Sequence, residues 1–589
     1  MLLSMRWLAF VVVAASLGAQ VPETDSRNTN IPNTDTHFTF PGYDSLEQWQ
    51  ARREHLRRQI LFAAGLLPEP ERVPLRPEIF GRIEREGYTV EKVFIRTLPG
   101  SYLAGNLYRP TGDGPFPAVL KPHGHWNYGR LENQQLGSSQ RLAANLALLG
   151  FVVFSYDMIG YNDTPPSPHR FSGRREKLWN FGPLSLQLWN SIRALDFLSS
   201  LPYVDRSRIA ITGASGGGTQ TFLLAAVDDR LAASAPVNMV SAIMQGGCVC
   251  ENAPGLRVGA YNVEFAAMMA PKPQLIVSAT GDWTRNVPKE EFPDVRSVYA
   301  LYGKPEMVEA VQFDAPHNYN QDSRVAVYRF FAKHILKRPD AASIQEKSTR
   351  IEQPPDLLVF YGRPRPRDAV GYQELFARWR DLVRRRVEAI EDPDRLRSLL
   401  ELAVKADWPE RVVSEKDGET VVLSRPAVGD RVPGLLRPGS STAATLVLHP
   451  DGAEAALASS QARRAISAGR TVLAIDAFQT GRAIAPRDRS HQHFYTFNLS
   501  DDACRVQDIL TALAWLRSQG YKDLELAGSG DAAVWALFAA ALAPSHAVRL
   551  LTGPGSFQGS DQEFLDRFFI PGIQCAGGLR TALRLTGKD

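Results

Sequence analysis

The sequence predicts an α/β fold, a mostly parallel sheet with helices on both faces, followed by a truncated second copy of the same pattern. Three observations carry this. Short apolar, β-branched runs alternate with longer helical patterns, as buried parallel strands and their crossover helices require. Residues 209–225, IAITGASGGGTQTFLLA, pass from such a run through a turn of small residues around one serine into an apolar helix pattern. Finally, the motifs recur. ATLVLHPDG at residues 444–452 parallels AVLKPHG at 118–124, AGRTVLAIDAF at 468–478 parallels LGFVVFSYDMI at 149–159, and LELAGSGDAAVWALFAA at 524–540 parallels AITGASGGGTQTFLLAA at 210–226.

Taken in order, residues 1–19 carry Arg6, an apolar run from Trp7 to Val13, then Ala14, Ala15, Ser16, Gly18 and Ala19, the pattern of a cleavable export signal. The rival reading is an uncleaved membrane anchor, but the apolar run is too short to span a bilayer comfortably, and no stable membrane span is expected after signal removal. Residues 20–80 read as a loose polar lead-in followed by a helix over 46–66. Residues 81–337 form the first globular domain. Its strands are expected at 87–96, 103–108, 117–121, 151–156, 209–212, 231–237, 274–279 and 307–313, with helices around 142–149, 184–201 and 325–336. Residues 338–405 are a linker rich in Pro and Arg plus a charged helical stretch over 372–402, whose buried face is Leu375, Trp379, Leu382, Val387 and Ile390. Residues 406–589 hold the second copy.

A length of 589 residues exceeds one domain at the usual scale of roughly 150 residues each. With 44% hydrophobic and 22% charged residues the chain can bury a large core, and a net charge of +4 gives no reason to expect nucleic acid as a partner. The four cysteines, Cys248, Cys250, Cys504 and Cys575, make no disulfide framework, and Cys248 and Cys250 are too close in sequence for an unstrained bridge. Scattered as they are, they predict no zinc site.

The chemistry sits at strand ends, where open parallel sheets bind ligands. Gly213 to Gly217 fit G-x-S-x-G, the nucleophile elbow, in which a sharp strand-to-helix turn exposes one hydroxyl, here Ser215. A serine needs an imidazole to take its proton and a carboxylate to fix that imidazole's tautomer. His317 in DAPHNYN and Asp282 in TGDWT follow later strands and fill those roles, with Asp314 and Glu251 as rivals for the acid. KPHGHW at 121–126 follows a strand directly, so the N–H groups of His125 and Gly216 are the candidate oxyanion hole. A metal reading of His123 with His125 lacks a third ligand. His123, Trp126, Tyr161 and Trp283 are the candidate pocket residues. The stretch 159–181, with His169, Arg170, Arg174, Arg175, Lys177, Trp179 and Phe181, and also Arg130, offers aromatics for sugar rings and arginines for a uronate carboxylate.

On KPHGHW, FSYDMIGYND, TGASGGG, TGDWT and APHNYN, residues of about 85–336 resemble the α/β-hydrolase superfamily, in its acetyl xylan esterase, dienelactone hydrolase and prolyl oligopeptidase-like branch. The order Ser, Asp, His is the order that superfamily uses. The resemblance implies a serine ester hydrolase that works through an acyl-enzyme without cofactor or metal, on a small ester or a carbohydrate polymer bearing acetyl or uronoyl esters. A prolyl oligopeptidase-like peptidase and a non-catalytic binding protein are the alternatives. Two departures, GGCVCENAPG at 246–255 and the insertion at 159–181, are expected to shape the pocket. In the second copy Ala527 replaces the first elbow glycine, Asp531 stands at the position of Gly217, and the equivalents of Asp282 and His317 fall beyond residue 589. With no imidazole of its own, and nothing in the position of His491 and His493 in RSHQHF to bring either to it, Ser529 is expected to remain a weak nucleophile, and that half to serve as scaffold, lid or polymer-binding surface.

Overall fold

A computed structural model describes residues 21–164 and 167–588; the expected export signal lies outside the described residues. A nine-stranded sheet is built from β1 (Glu78–Arg85), β2 (Tyr88–Leu98), β3 (Ser101–Pro110), β4 (Phe116–Pro122), β5 (Val152–Tyr156), β6 (Val204–Ala214), β7 (Leu231–Val237), β8 (Gln274–Gly281) and β9 (Val308–Pro316). The order is β1-β2-β3-β5-β4-β6-β7-β8-β9. Pairing is antiparallel from β1 through β3 to β5 and parallel from β5 to β9. The apolar runs are continuous because both faces are covered. Ala118 and Leu120 of β4 face one core and Val119 the other, and Val152 and Phe154 of β5 likewise oppose Val153.

Helix α1 (Leu46–Ala63) is capped by the Ser45 side chain, which accepts from the Gln48 N–H. Helices α2 (Ser139–Leu148) and α5 (Gln321–His334) cover one face of the sheet, and α3 (Pro183–Ser200) and α4 (Gly216–Val227) the other. Strand β1 was not expected: its residues are mostly solvent-exposed and alternate charge with isolated apolar side chains, so it carries no buried run to read.

The second sheet consists of β10 (Val413–Asp417), β11 (Thr420–Ser424), β12 (Val432–Arg437), β13 (Ala443–Leu448), β14 (Thr471–Ile475), β15 (Asp523–Gly528) and β16 (Arg549–Leu550), in the order β10-β11-β12-β14-β13-β15-β16. This repeats the first seven positions of the large sheet. Among the described residues nothing corresponds to β8 and β9.

Between the sheets, the expected single helical stretch is two helices, α6 (Tyr372–Glu388) and α7 (Pro393–Val404). Pro393 cannot continue a helix from Asp392, whose side chain instead caps α7. Leu375, Trp379, Val387 and Ile390 are buried as expected, Leu382 only partly. One apolar core runs from Trp189 of α3 through Trp379 to Trp515 and Phe538 of the second half.

Two segments read as loose are tied down. In the lead-in, Arg27 pairs with buried Asp508 at 2.6 Å, and Gln245 and Ala242 bond Thr34 and Phe38 through their backbones. In the linker, Asp163 accepts from the Val359 and Phe360 N–H groups at 2.7 and 3.0 Å, and Glu352 pairs with Arg85. Polar composition signalled disorder, but these polar groups find partners far away in sequence.

Lys121, at the end of β4, is buried with only hydroxyls for partners, Ser139 and Ser155, and burial with the nearby Arg130 charge pushes its amine down to about 7. Between that value and the unfolded value near 10.4 the unfolded chain binds a proton that the folded chain does not, so this group's contribution to stability rises with pH across the window. Lys121→Met is expected to melt above the wild type at pH 7, with the gap closing as pH is raised towards 10. Thermal melts of both proteins across that range check it.

Candidate active site

The end of β6 turns sharply into α4, and Ser215 takes φ 58° and ψ −126°, a conformation a non-glycine residue adopts only where its surroundings enforce it. Its N–H donates to the Val237 carbonyl at 3.1 Å, locking the turn to β7. On the other side the chain leaving β4 presses close. A Cβ at Gly217 would lie 2.7 Å from the Pro122 carbonyl oxygen, and one at Gly216 would lie 2.7 Å from Cε1 of His125. Small residues here are the condition for the loop 121–126 to sit against the helix. Gly216 is the first residue of α4, so its N–H has no carbonyl partner within the helix and lies where the helix dipole favours negative charge.

Asp282 and His317 follow adjacent parallel strands, β8 and β9, which pair as far as Gly281 and Pro316. Asp282 is buried. Its Oδ1 accepts from the Thr284 N–H at 2.7 Å and the Thr284 hydroxyl at 2.5 Å, which leaves Oδ2 for Nδ1 of His317 at 2.8 Å. With Nδ1 donating to a carboxylate, the lone pair of the neutral ring sits on Nε2. That atom is buried and has no hydrogen-bond partner among the described residues, so no hydrogen bond joins it to Ser215. The Trp283 ring lies 4.3 Å from the imidazole and that of Trp126 6.4 Å, centroid to centroid. Gly124 links Trp126 to the elbow: a Cβ there would lie 3.0 Å from the Ser215 Cβ and 3.3 Å from the Trp126 Nε1. The rival acids are engaged elsewhere, Asp314 by the Thr280 hydroxyl and Glu251 by Thr219 and the Cys248 N–H.

Two expectations are corrected. His123 is buried beneath the pocket, its Nδ1 on the Gly124 carbonyl at 2.7 Å and its Nε2 accepting from the Met158 N–H at 3.0 Å, so it braces the loop and has no free polar atom for substrate. Arg130, offered for a uronate, is fully buried between Asp157 and Asp163 and holds the two strand-end loops together.

The metal reading also changes. His123 is no part of it; His125 instead meets His169, Cys248 and Cys250, the four ligand atoms lying within 4.8 Å of one another. His125 Nε2 is 3.1 Å from the Cys250 sulfur and His169 Nε2 is 3.3 Å from that of Cys248. Burial alone would lower the His125 value, but its hydrogen bond to the Cys248 sulfur and the Glu251 charge raise it. Burial raises the Cys250 thiol, whereas hydrogen bonds, the one from Cys250 foremost, draw the Cys248 thiol down. The cluster was hidden because its members come from three loops. The signals that were present were the Cys-x-Cys spacing and the two departures from the simple pattern.

No family model matches the sequence. A solved structure, "Methylesterase BT1017", is 30% identical, aligns over 57% of this chain and 75% of its own, and superimposes with a TM-score of 0.51. The chain belongs to the α/β-hydrolase superfamily. That likeness sets it among the esterases of the superfamily. Among curated sequences, "Putative hydrolase YtaP" of Bacillus subtilis (strain 168) is 25% identical over 304 residues, 48% of this chain and 100% of that protein. "4-O-methyl-glucuronoyl methylesterase" of Phanerochaete carnosa (strain HHB-10118-sp) is 24% identical over 271 residues, 42% of this chain and 61% of that protein.

Within this hydrolase the second elbow is not formed. Ser529 does not share the positive φ of Ser215; the left-handed position passes to Gly530, and Asp531 pairs with Arg567 at 2.8 Å. His493 meets the Cys248 loop through the Gly247 backbone.

Gly217→Ala places a methyl group against the Pro122 carbonyl, a backbone atom that can move only by shifting the loop 121–126. A stability loss of about 1–3 kcal/mol and a fall in ester hydrolysis of roughly a hundredfold are expected, read by denaturant titration and initial rates.

Proposed function

We propose that the protein is an exported serine carboxylic ester hydrolase that cleaves uronoyl esters of a carbohydrate through Ser215, His317 and Asp282. The observation that carries this is the Asp282–His317 hydrogen bond, which leaves a basic Nε2 free at the strand ends that also present the Ser215 elbow. In the proposed cycle Nε2 takes the proton of the Ser215 hydroxyl as Oγ attacks the ester carbonyl. The oxyanion formed is held by the N–H groups of Gly216 and His125. Collapse expels the alcohol, which leaves with the proton from Nε2, and water then repeats the sequence on the acyl-enzyme. Trp126 and Trp283 wall the site beside the imidazole.

The uronoyl reading is supported by a cavity of about 390 Å³ between the insertion and the second half, lined by Arg170, Lys177, Arg489, His491 and His493 with no carboxylate among its lining residues. It shares Val249 and Asn252 with the Cys248 loop. Such a wall suits the carboxylates of neighbouring uronate units on a polymer. The two relatives named as methylesterases point the same way. The reading of export rests on the charged, apolar and small-residue order of residues 1–19.

Ser215→Ala is expected to lower hydrolysis of a uronate methyl ester by several orders of magnitude, while Ser529→Ala leaves it within twofold. Turnover that survives in Ser215→Ala, or is lost only in Ser529→Ala, overturns the assignment; turnover of a peptide amide or of acetylated xylan alone overturns the substrate.

Arg170 lines that cavity. Arg170→Ala is expected to raise KM for an oligouronate ester about tenfold or more with little change for a neutral acetyl ester, as steady-state kinetics on the two substrates will show.

A further inference from the structure

The cluster of His125, His169, Cys248 and Cys250 is an unassigned group of metal-type donors within the described residues, and nothing in the proposed ester chemistry uses it. Its make-up is that of a Cys2His2 zinc site. A tetrahedron with sulfur ligands near 2.3 Å and nitrogen ligands near 2.0 Å has edges of roughly 3.3–3.8 Å. The two cross pairs here measure 3.1 and 3.3 Å, and all four donor atoms fall within 4.8 Å of one another, so small side-chain movements suffice to close them on one ion.

The surroundings are built as a metal site requires. Nδ1 of His169 lies 2.6 Å from the Ile159 carbonyl and donates to it, which leaves Nε2 as the donor towards the sulfurs, the usual outer partner of a metal-bound histidine. That contact depends on a tight return of the loop: Gly160 has φ +81°, and a Cβ there would lie 2.3 Å from the His169 N. The Cys-x-Cys turn is equally fixed. Asn252 donates to the carbonyls of Gly246 and Cys248 at 2.7 and 2.9 Å, and fully buried Arg257 donates to the Glu251 carbonyl at 2.6 Å. Both cysteines are buried and neither is in a disulfide. His125 is the exposed member, giving the ion a way in from solvent.

We infer that His125 Nε2, His169 Nε2 and the sulfurs of Cys248 and Cys250 bind one Zn²⁺ that clamps the insertion and the Cys248 loop onto the loop 121–126. Binding replaces the thiol protons with the metal and releases them to solvent. Four protein ligands leave no open position, so the ion positions and does not activate water. Through the His125 ring it fixes the backbone whose N–H is proposed to face the oxyanion. The inference does not depend on the Ser215 mechanism, because its test is spectroscopic.

The test uses the full chain, stripped of metal with a chelator, kept reduced and titrated with Co²⁺. Expected are binding of one ion per chain, the intense sulfur-to-cobalt charge-transfer and tetrahedral d–d bands of a thiolate site, and displacement of cobalt by Zn²⁺. In the zinc-loaded protein Cys248 and Cys250 resist alkylation and become reactive on chelation. Cys248→Ser is expected to weaken binding about tenfold or more, and Cys504→Ser, buried in the second half, to leave it unchanged. Should Cys248→Ser fail to fold, the wild-type spectrum and the alkylation pattern still decide. Weak octahedral cobalt spectra, substoichiometric binding, or a Cys248–Cys250 disulfide found by peptide mapping of the unreduced protein would overturn the inference.

Discussion

The close approach of the chain leaving β4 to the first turn of α4 is the constraint on which the site depends. With the Pro122 carbonyl where a side chain on Gly217 would begin, the two backbones are in contact. That contact holds the loop 121–126 over the helix N-terminus and leaves Ser215 no ordinary conformation. A residue held at positive φ costs about 1–3 kcal/mol, which the apolar packing of β6 and α4 on both sides offsets. Strain at the serine and order in the loop are therefore two results of one packing arrangement.

The second sheet shows what happens when that arrangement is relaxed. It keeps the first seven strand positions and a serine in the equivalent turn, yet Asp531 occupies the place of the contact glycine and the positive φ moves to Gly530. Among the described residues it shows no counterpart of β8 and β9, the strands whose ends carry Asp282 and His317 in the first half. It shares a continuous core with the first half, and its backbone meets the Cys-x-Cys loop directly, with the N–H groups of Gly255 and Arg257 on the Tyr495 and Thr496 carbonyls at 2.7 and 2.9 Å. The duplicate thus forms one wall of the basic cavity beside the insertion.

The parallel strands were legible in the sequence because burial on both faces leaves unbroken apolar runs, and the elbow because its small residues have few other uses. Asp282 could be preferred over Asp314 and Glu251 from its place just after a strand. The rest was hidden where the deciding contact is long-range. Polar segments such as 21–41 and 338–366 read as loose because Asp508, Asp163 and Arg85 are remote from them in sequence. His123 and Arg130 looked available to substrate because sequence does not show burial, and burial gave one to a backbone N–H and the other to two aspartates. Cys248 and Cys250 predicted no metal site because the histidines beside them come from two other loops.

Those loops are where the chain departs from the plain strand-helix pattern, and they converge on one residue. His125 stands in the loop fixed by the Pro122 contact, lays its ring on Gly216 and turns its Nε2 to the Cys250 sulfur. A flexible insertion could vary its side chains for substrate without disturbing the elbow, but one joined to His125 cannot move independently of it. Substitutions among Gly160, His169, Cys248 or Asn252 should thus reach the proposed oxyanion donor through the His125 ring, although none of them belongs to the elbow. The physical reason is packing: with its ring pressed on Gly216 and its Nε2 held at the Cys250 sulfur, His125 has few rotamers open to it, and the rotamer a side chain can adopt is coupled to the backbone that carries it.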